Sequence, residues 1–208
     1  MFFEFWQVVR PILGAFRSTY RWIKGKFAPP YPHFIKQATI LRHCWPGSVF
    51  IETGTYKGAT SRYFRKRGFK VVTIEVYKPL FDTYSPYLRA MGIDARLGDS
   101  ADEMPQVLRD YGAESGFTIF LDGHYSSGIT GQGEIAVPIV KEFQALRDFA
   151  LENTGKNIAI IVDDVRLFMP GDDPSYPKKS TLLDFTASIC ADWTIENDMF
   201  VCVRPGIP

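Results

Sequence analysis

The chain has 208 residues, 46% hydrophobic and 23% charged, with a formal net charge of +1. That length supports one domain with a sizeable core, and the near-neutral balance excludes a phosphate-tracking surface, so nucleic acid is not an expected partner. Three scattered cysteines, Cys44, Cys190 and Cys202, fit neither a disulfide framework nor a zinc-ligand spacing, which points to reduced thiols in a cytoplasmic protein.

Residues 1–27 differ in character from the rest of the chain. Aromatic and aliphatic residues from Phe2 to Ile23 recur at helical spacing, with Arg10, Arg17, Arg21, Lys24 and Lys26 between them. No uninterrupted run approaches the ~20 apolar residues of a membrane span. Glu4 ahead of later basic residues is the wrong order for a signal peptide. A basic, aromatic, amphipathic helix suits two sites: the inner face of a membrane, held peripherally, or a surface of the domain or of a second subunit in a homo-oligomer. Residues 28–32, APPYP, read as a stiff linker, and residues 33–208 as the domain proper.

A short helix over 33–44 leads to the Trp45-Pro46-Gly47 turn and a buried strand, Val49-Phe50-Ile51. The strand ends in Glu52 and opens into Thr53-Gly54-Thr55-Tyr56-Lys57-Gly58, a glycine turn before a helix over 60–67. Gly54 supplies a positive φ where the chain reverses, and Gly58 allows close packing of the helix. A dinucleotide turn would carry Gly-x-Gly-x-x-Gly; an acid in place of the first glycine repels phosphate and attracts a cation. Lys70 to Val76 forms a second strand with Glu75 near its end, 21 residues past Gly54. That is close to the ~20 at which a Rossmann-type unit sets a carboxylate against a ribose, so the spacing points to a nucleoside.

The alternation continues. A helix over 79–91 precedes a strand over 93–97 running into Gly98-Asp99-Ser100, where Asp99 and the Ser100 hydroxyl suit an adenine ring. A helix over 101–110 and a strand over 117–121 end at Asp122. Residues 123–134 are the most polar and glycine-rich stretch of the chain, a length of loop commonly functional. A helix over 138–152, a strand over 157–162 ending in Asp163-Asp164, a surface loop over 168–179 and a helix over 181–189 lead to a closing hairpin, 193–196 with 199–203. The predicted fold is a doubly wound, mostly parallel, Rossmann-like α/β sheet in three α/β/α layers, with an antiparallel hairpin at its C-terminal edge.

Five strands thus end in Glu52, Glu75, Asp99, Asp122 and Asp163-Asp164, along the edge where open α/β sheets bind ligands. With the Glu-x-Gly-x-x-x-Gly motif at 52–58 and the order of strands, the chain from 47 to 204 resembles the class I S-adenosylmethionine-dependent methyltransferases. The wording FIETGTYKGATS, FLDGHYSSGITGQGE and IVDDVRLF looks in particular like bacterial surface-glycan O-methyltransferases. The resemblance implies that Gly54, Thr55 and Gly58 approach the methionine part of S-adenosylmethionine, that Glu52 meets its charged end and that Glu75 takes the ribose. Asp99 and Ser100 would take the adenine, and Asp122 would also face the cofactor.

The acceptor would be a hydroxyl of a sugar or glycan precursor. Asp122, Asp163 and Asp164 could converge on an all-oxygen Mg²⁺ site that lowers the acceptor pKa. His124, with Asp122, is the candidate base. The competing readings are a metal-independent methyltransferase that relies on His124, a ligand-binding protein without turnover, and a nicotinamide oxidoreductase disfavoured by the missing glycine. Asp163 and Asp164 could instead cap the following turn and pair with Arg166, which could alternatively bind an anionic sugar.

Overall fold

The structure is a computed structural model, and it describes residues 14–122, 138–168 and 176–207. Helix α1 covers 14–24. After it come α2 (His33–His43), β1 (Val49–Thr53), α3 (Ala59–Arg65), β2 (Lys70–Glu75), α4 (Lys78–Ala90), β3 (Asp94–Leu97) and α5 (Ser100–Asp110). The remainder is β4 (Gly116–Leu121), α6 (Ile139–Glu152), β5 (Asn157–Val162), a 3₁₀ turn (Val165–Phe168), α7 (Lys179–Ser188), β6 (Asp192–Glu196) and β7 (Met199–Arg204).

The seven strands form one sheet in the order β3-β2-β1-β4-β5-β7-β6. The first five are mutually parallel, and β7 runs antiparallel to β5 and β6. The doubly wound sheet with its terminal hairpin is therefore as the sequence predicts. β1 and β4 are buried along their whole length, because helices cover both faces of a parallel sheet. Side-chain alternation divides the core in two. Val49, Ile51, Ile119 and Ile160 meet Met104 of α5, Phe143 of α6 and Phe185 of α7. Phe50 and Phe120 join Ile40 of α2, Phe64 of α3 and Leu88 of α4 on the other face, where Phe50 and Phe64 stack with ring centroids 3.9 Å apart.

Most element ends fall within two residues of the sequence reading. Phe168 is fully buried in the larger core rather than opening a surface loop, because the 3₁₀ turn folds it back after β5. Helix α7 starts at Lys179, two residues early.

Gly58 holds the turn between β1 and α3. Its φ of +67° is left-handed, and a Cβ there would lie 2.6 Å from Leu88 Cδ2 and 2.9 Å from Cδ1. Gly58→Ala should therefore lower unfolding free energy by about 2 kcal/mol, from backbone strain and overpacking together. Urea denaturation checks this, and a loss below about 0.5 kcal/mol would show that Leu88 simply moves aside.

Candidate functional site

The topology reverses between β1 and β4, and the carboxyl ends of β1 to β5 surround that point. Open α/β sheets bind ligands at such a crevice. The glycine turn sits there with Gly54 at φ +78°.

Its amides are already committed. Gly54 N–H and Thr55 N–H donate to the Ile74 carbonyl (3.0 and 3.2 Å), and Gly58 N–H donates to the Thr55 carbonyl (2.8 Å). Tyr56 N–H donates to Glu75 Oε2 at 2.8 Å. A phosphate cradle needs such groups pointing outward, so this turn is not a pyrophosphate site. Thr55 is buried, its hydroxyl 2.6 Å from that of Thr73. Thr55 and Gly58 therefore shape the turn against β2 and α4.

Glu52 is only 2% exposed. Its Oε2 accepts hydrogen bonds from Ser61 of α3 and from Thr73 of β2. Burial pushes its pKa up to about 7, against the hydroxyls that favour the charged form. Instead of projecting into the crevice, Glu52 ties α3 and β2 to the end of β1. Glu75 is buried with each carboxylate oxygen engaged, Oε2 by Tyr56 N–H and Oε1 by Tyr77 N–H at 2.8 Å. It fixes the turn, and each oxygen retains a second lone pair for a ribose hydroxyl. Desolvation raises its pKa, opposed by those backbone donors.

Asp99 caps α5, Oδ1 accepting from Ala101 N–H at 3.0 Å. Its second oxygen has no hydrogen-bond partner among the described residues and stays open to a ligand donor. Val76, Tyr77 and Leu97 are exposed beside these acids, and Leu97 is in register with Glu75. Apolar shelves next to the half-open Asp99 carboxylate suit a planar base joined to a diol. The sequence reading did not single these three out. Ser100 is buried in the first turn of α5 and faces Glu142 of α6.

Glu142 was also not anticipated. It is 2% exposed, and among the described residues its Oε1 has no hydrogen-bond partner, nor has the buried Thr53 hydroxyl at the end of β1. Burial lifts its pKa to about 7, with the nearby Ser100 and Thr53 hydroxyls opposing and the Asp99 charge adding to the rise.

The acceptor edge is built differently from the expectation. Lys36, one turn into α2, places Nζ 2.6 Å from Asp163 Oδ2 and 2.9 Å from Asp164 Oδ1. Asp163 Oδ1 accepts from Asp164 N–H, and Asp164 Oδ1 also accepts from Arg166 at 2.9 Å. Burial works against the Lys36 charge, but Asp163 and Asp164 outweigh it and push its pKa up to about 12. Asp164, despite its burial, is held below the usual carboxylate range by Lys36 and Arg166.

Burial pushes Asp163 up to about 6, against Lys36. Asp122 is half-buried, and desolvation together with the Asp163 charge raises its pKa well above normal.

These donors do not fit Mg²⁺ as they stand. A resident ammonium bridges the two aspartates that would hold the ion, and no cluster of three or more metal-holding side chains occurs among the described residues. Arg166 is spent on Asp164 and Asp198, which leaves it poorly suited to an anionic sugar. His124 lies outside the described residues.

No protein-family model matches the chain, and no curated protein sequence matches it. Solved structures do. The chain is similar to the TDP-rhamnose 3′-O-methyltransferase of calicheamicin biosynthesis, with TM-score 0.56, 10% identity and coverage of 89% of this chain and 86% of that one. It is also similar to the CcbJ methyltransferase of Streptomyces caelestis, with TM-score 0.52, 11% identity and coverage of 83% and 89%. A geranyl diphosphate methyltransferase gives TM-score 0.53 at 11% identity, over 83% and 78%. At such identities the likeness is one of fold: the chain shares the doubly wound, Rossmann-like fold of these methyltransferase structures.

Proposed function

We propose that this chain is an S-adenosylmethionine-dependent O-methyltransferase acting on a hydroxyl of a sugar or glycan precursor. The observation that carries the reading is the nucleoside-shaped edge: Gly54 at positive φ, the half-open Asp99 carboxylate and the exposed Val76, Tyr77 and Leu97 around Glu75. When bound, the cofactor supplies an electrophilic methyl group on a sulfonium.

The chain's own residues do the rest. Glu75 and Asp99 accept from the ribose and the adenine amino group, and Gly54 gives the methionine part room beside the end of β1. Asp122, its pKa raised well above the ordinary carboxylate value by burial and the Asp163 charge, accepts the proton of the attacking hydroxyl together with His124, two residues further on. Lys36 makes its ion pairs with Asp163 and Asp164, and none to Asp122 occurs among the described residues.

Since Lys36 bridges the two aspartates, we favour the metal-independent form of this reaction over the Mg²⁺-assisted one. The sugar acceptor is supported by FLDGHYSSGITGQGE and IVDDVRLF and by the TDP-rhamnose enzyme among the structures of similar fold.

Calorimetry with S-adenosylmethionine tests the donor side. Asp99→Ala should weaken binding about tenfold, the worth of one good charge-assisted hydrogen bond, while losing about 1 kcal/mol of stability with its helix cap. Undiminished affinity would remove Asp99 from the site. Labelled methyl transfer to nucleotide-activated sugars tests the acceptor side. Activity should be indifferent to EDTA, and activity abolished by EDTA and restored by Mg²⁺ would reinstate the metal. Tight cofactor binding without transfer to any hydroxyl acceptor would instead make the chain a binding protein.

A further inference from the structure

Helix α1 has two unlike sides. Gly14, Ala15, Ser18, Arg21, Trp22 and Gly25 line, with residues 28–34 and Gln37, a cavity of about 780 Å³ between α1 and the start of α2, Arg21 standing at its rim with its side chain exposed. Trp22 fastens this side to the chain beyond it, edge-on to Phe27 at 4.8 Å and tilted on Tyr31 at 5.8 Å.

Elsewhere on the helix, Phe16, Tyr20 and Ile23 recur at i, i+4 and i+7, one stripe at 3.6 residues per turn. They are 73%, 65% and 54% exposed, and Phe27, in the turn after the helix, is 56% exposed. Arg17, Arg21 and Lys24 repeat the same spacing one position later, about 100° around the axis, and all three are exposed. A helix meant to pack on its domain buries its apolar stripe. This one borders the cavity with small residues and Trp22 and leaves its aromatic stripe outside, flanked by cations.

We infer that α1 docks the protein on an anionic bilayer. Phe16, Tyr20, Ile23 and Phe27 enter the headgroup region, and Arg17, Arg21, Lys24 and Lys26 meet acidic lipid headgroups. Charge selects this occupant. Residues 14–27 contain no acid, so a second copy seated on the same face would set basic stripe against basic stripe, which is repulsive. A lipid surface offers both an apolar layer and negative charge. No helix among the described residues is long and apolar enough to cross a membrane, so the attachment is peripheral.

The linker 28–32 leads straight into α2, whose Lys36 bridges Asp163 and Asp164 at the acceptor edge. Resting on the methyl-transfer reading, this connection implies an acceptor carried by a lipid at that surface.

The test is co-sedimentation of the full chain with vesicles of phosphatidylcholine alone or with phosphatidylglycerol added. Calorimetry with S-adenosylmethionine is run on the same preparations. The wild type should sediment with the anionic vesicles only and be released by salt. Phe16→Ser/Ile23→Ser and Arg17→Glu/Arg21→Glu should each cut binding by about tenfold or more and leave cofactor affinity unchanged.

Wild type that stays in the supernatant, equal binding to uncharged vesicles, or variants that sediment like wild type would overturn the proposal. So would self-association in the ultracentrifuge that Phe16→Ser/Ile23→Ser abolishes, since the stripe would then join two copies. Loss of cofactor binding in wild type would count against the methyl-transfer reading alone.

Discussion

Lys36→Met should cost about 3 kcal/mol of unfolding free energy at pH 7, the low end of what breaking a buried ion pair costs. For a chain of this size that is a fall of about 6–12 °C in Tm. The physical reason is the asymmetry of buried charge. The Lys36 ammonium lies within 3 Å of two carboxylates whose side chains are 3% and 23% exposed, and deleting it leaves them repelling each other out of water.

Two further measurements separate this cause from lost packing. Adding Asp163→Asn to Lys36→Met should recover much of the loss, so a double-mutant cycle with coupling below about 0.5 kcal/mol would rule the ion pair out as the source. The acid limb should also change. Asp164 has a depressed pKa, so in the wild type its stabilisation is present above its ordinary value of 3.8 and lost as pH falls through the lower folded value. Without Lys36 that loss should shrink.

Glu142→Gln should stabilise the protein at pH 8 by up to about 3 kcal/mol and leave it nearly unchanged at pH 4. The Glu142 pKa rises from 4.5 to about 7 on folding, and each pH unit is about 1.4 kcal/mol. Between those values the unfolded chain has released the proton and the folded chain still holds it. The contribution of Glu142 is therefore fully present below 4.5 and lost as pH rises to 7, and above that a buried carboxylate remains with one oxygen unpaired among the described residues. Glutamine has nothing to ionise. Thermal melts across pH 4–8 check this, and wild-type and variant curves that stay parallel would show that Glu142 finds a partner when charged.

The parallel strands were legible because a strand buried on both faces must be apolar throughout, as Val49-Phe50-Ile51 and the run from Ile158 to Val162 are. Strand ends were legible from the acids that close them. What those acids touch was not, since it depends on elements distant in sequence. Glu52 is claimed by Thr73, and Asp163 by Lys36, 127 residues away. No spacing rule links a helical lysine to a strand-end aspartate.

Glu142 did leave a signal. It falls in phase with Ile139, Phe143, Leu146 and Ala150, on the buried side of α6, so helical periodicity alone puts a carboxyl group in the core. For α1 the same periodicity revealed an apolar stripe without saying what it faces, because the pattern records amphipathicity and not the partner. His124 and the rest of the glycine-rich stretch lie outside the described residues, so the sequence remains the sole guide to that part of the acceptor side.

The position of β7 has a consequence for how the chain folds. Met199–Arg204 inserts between β5 and β6, supplying the partner for Ile158 through Val162, and Arg204 reaches across to the Ala150 and Asn153 carbonyls at the end of α6. Until that segment arrives, β5 has one side of its backbone unpaired. Its six residues, NIAIIV, carry no charge and no proline, the composition that favours pairing between chains. During synthesis this edge stays open while the ribosome adds some forty further residues, a few seconds at ordinary elongation rates. The vulnerable moment in the life of this protein is therefore a late one, when most of the sheet exists and its closing strand does not.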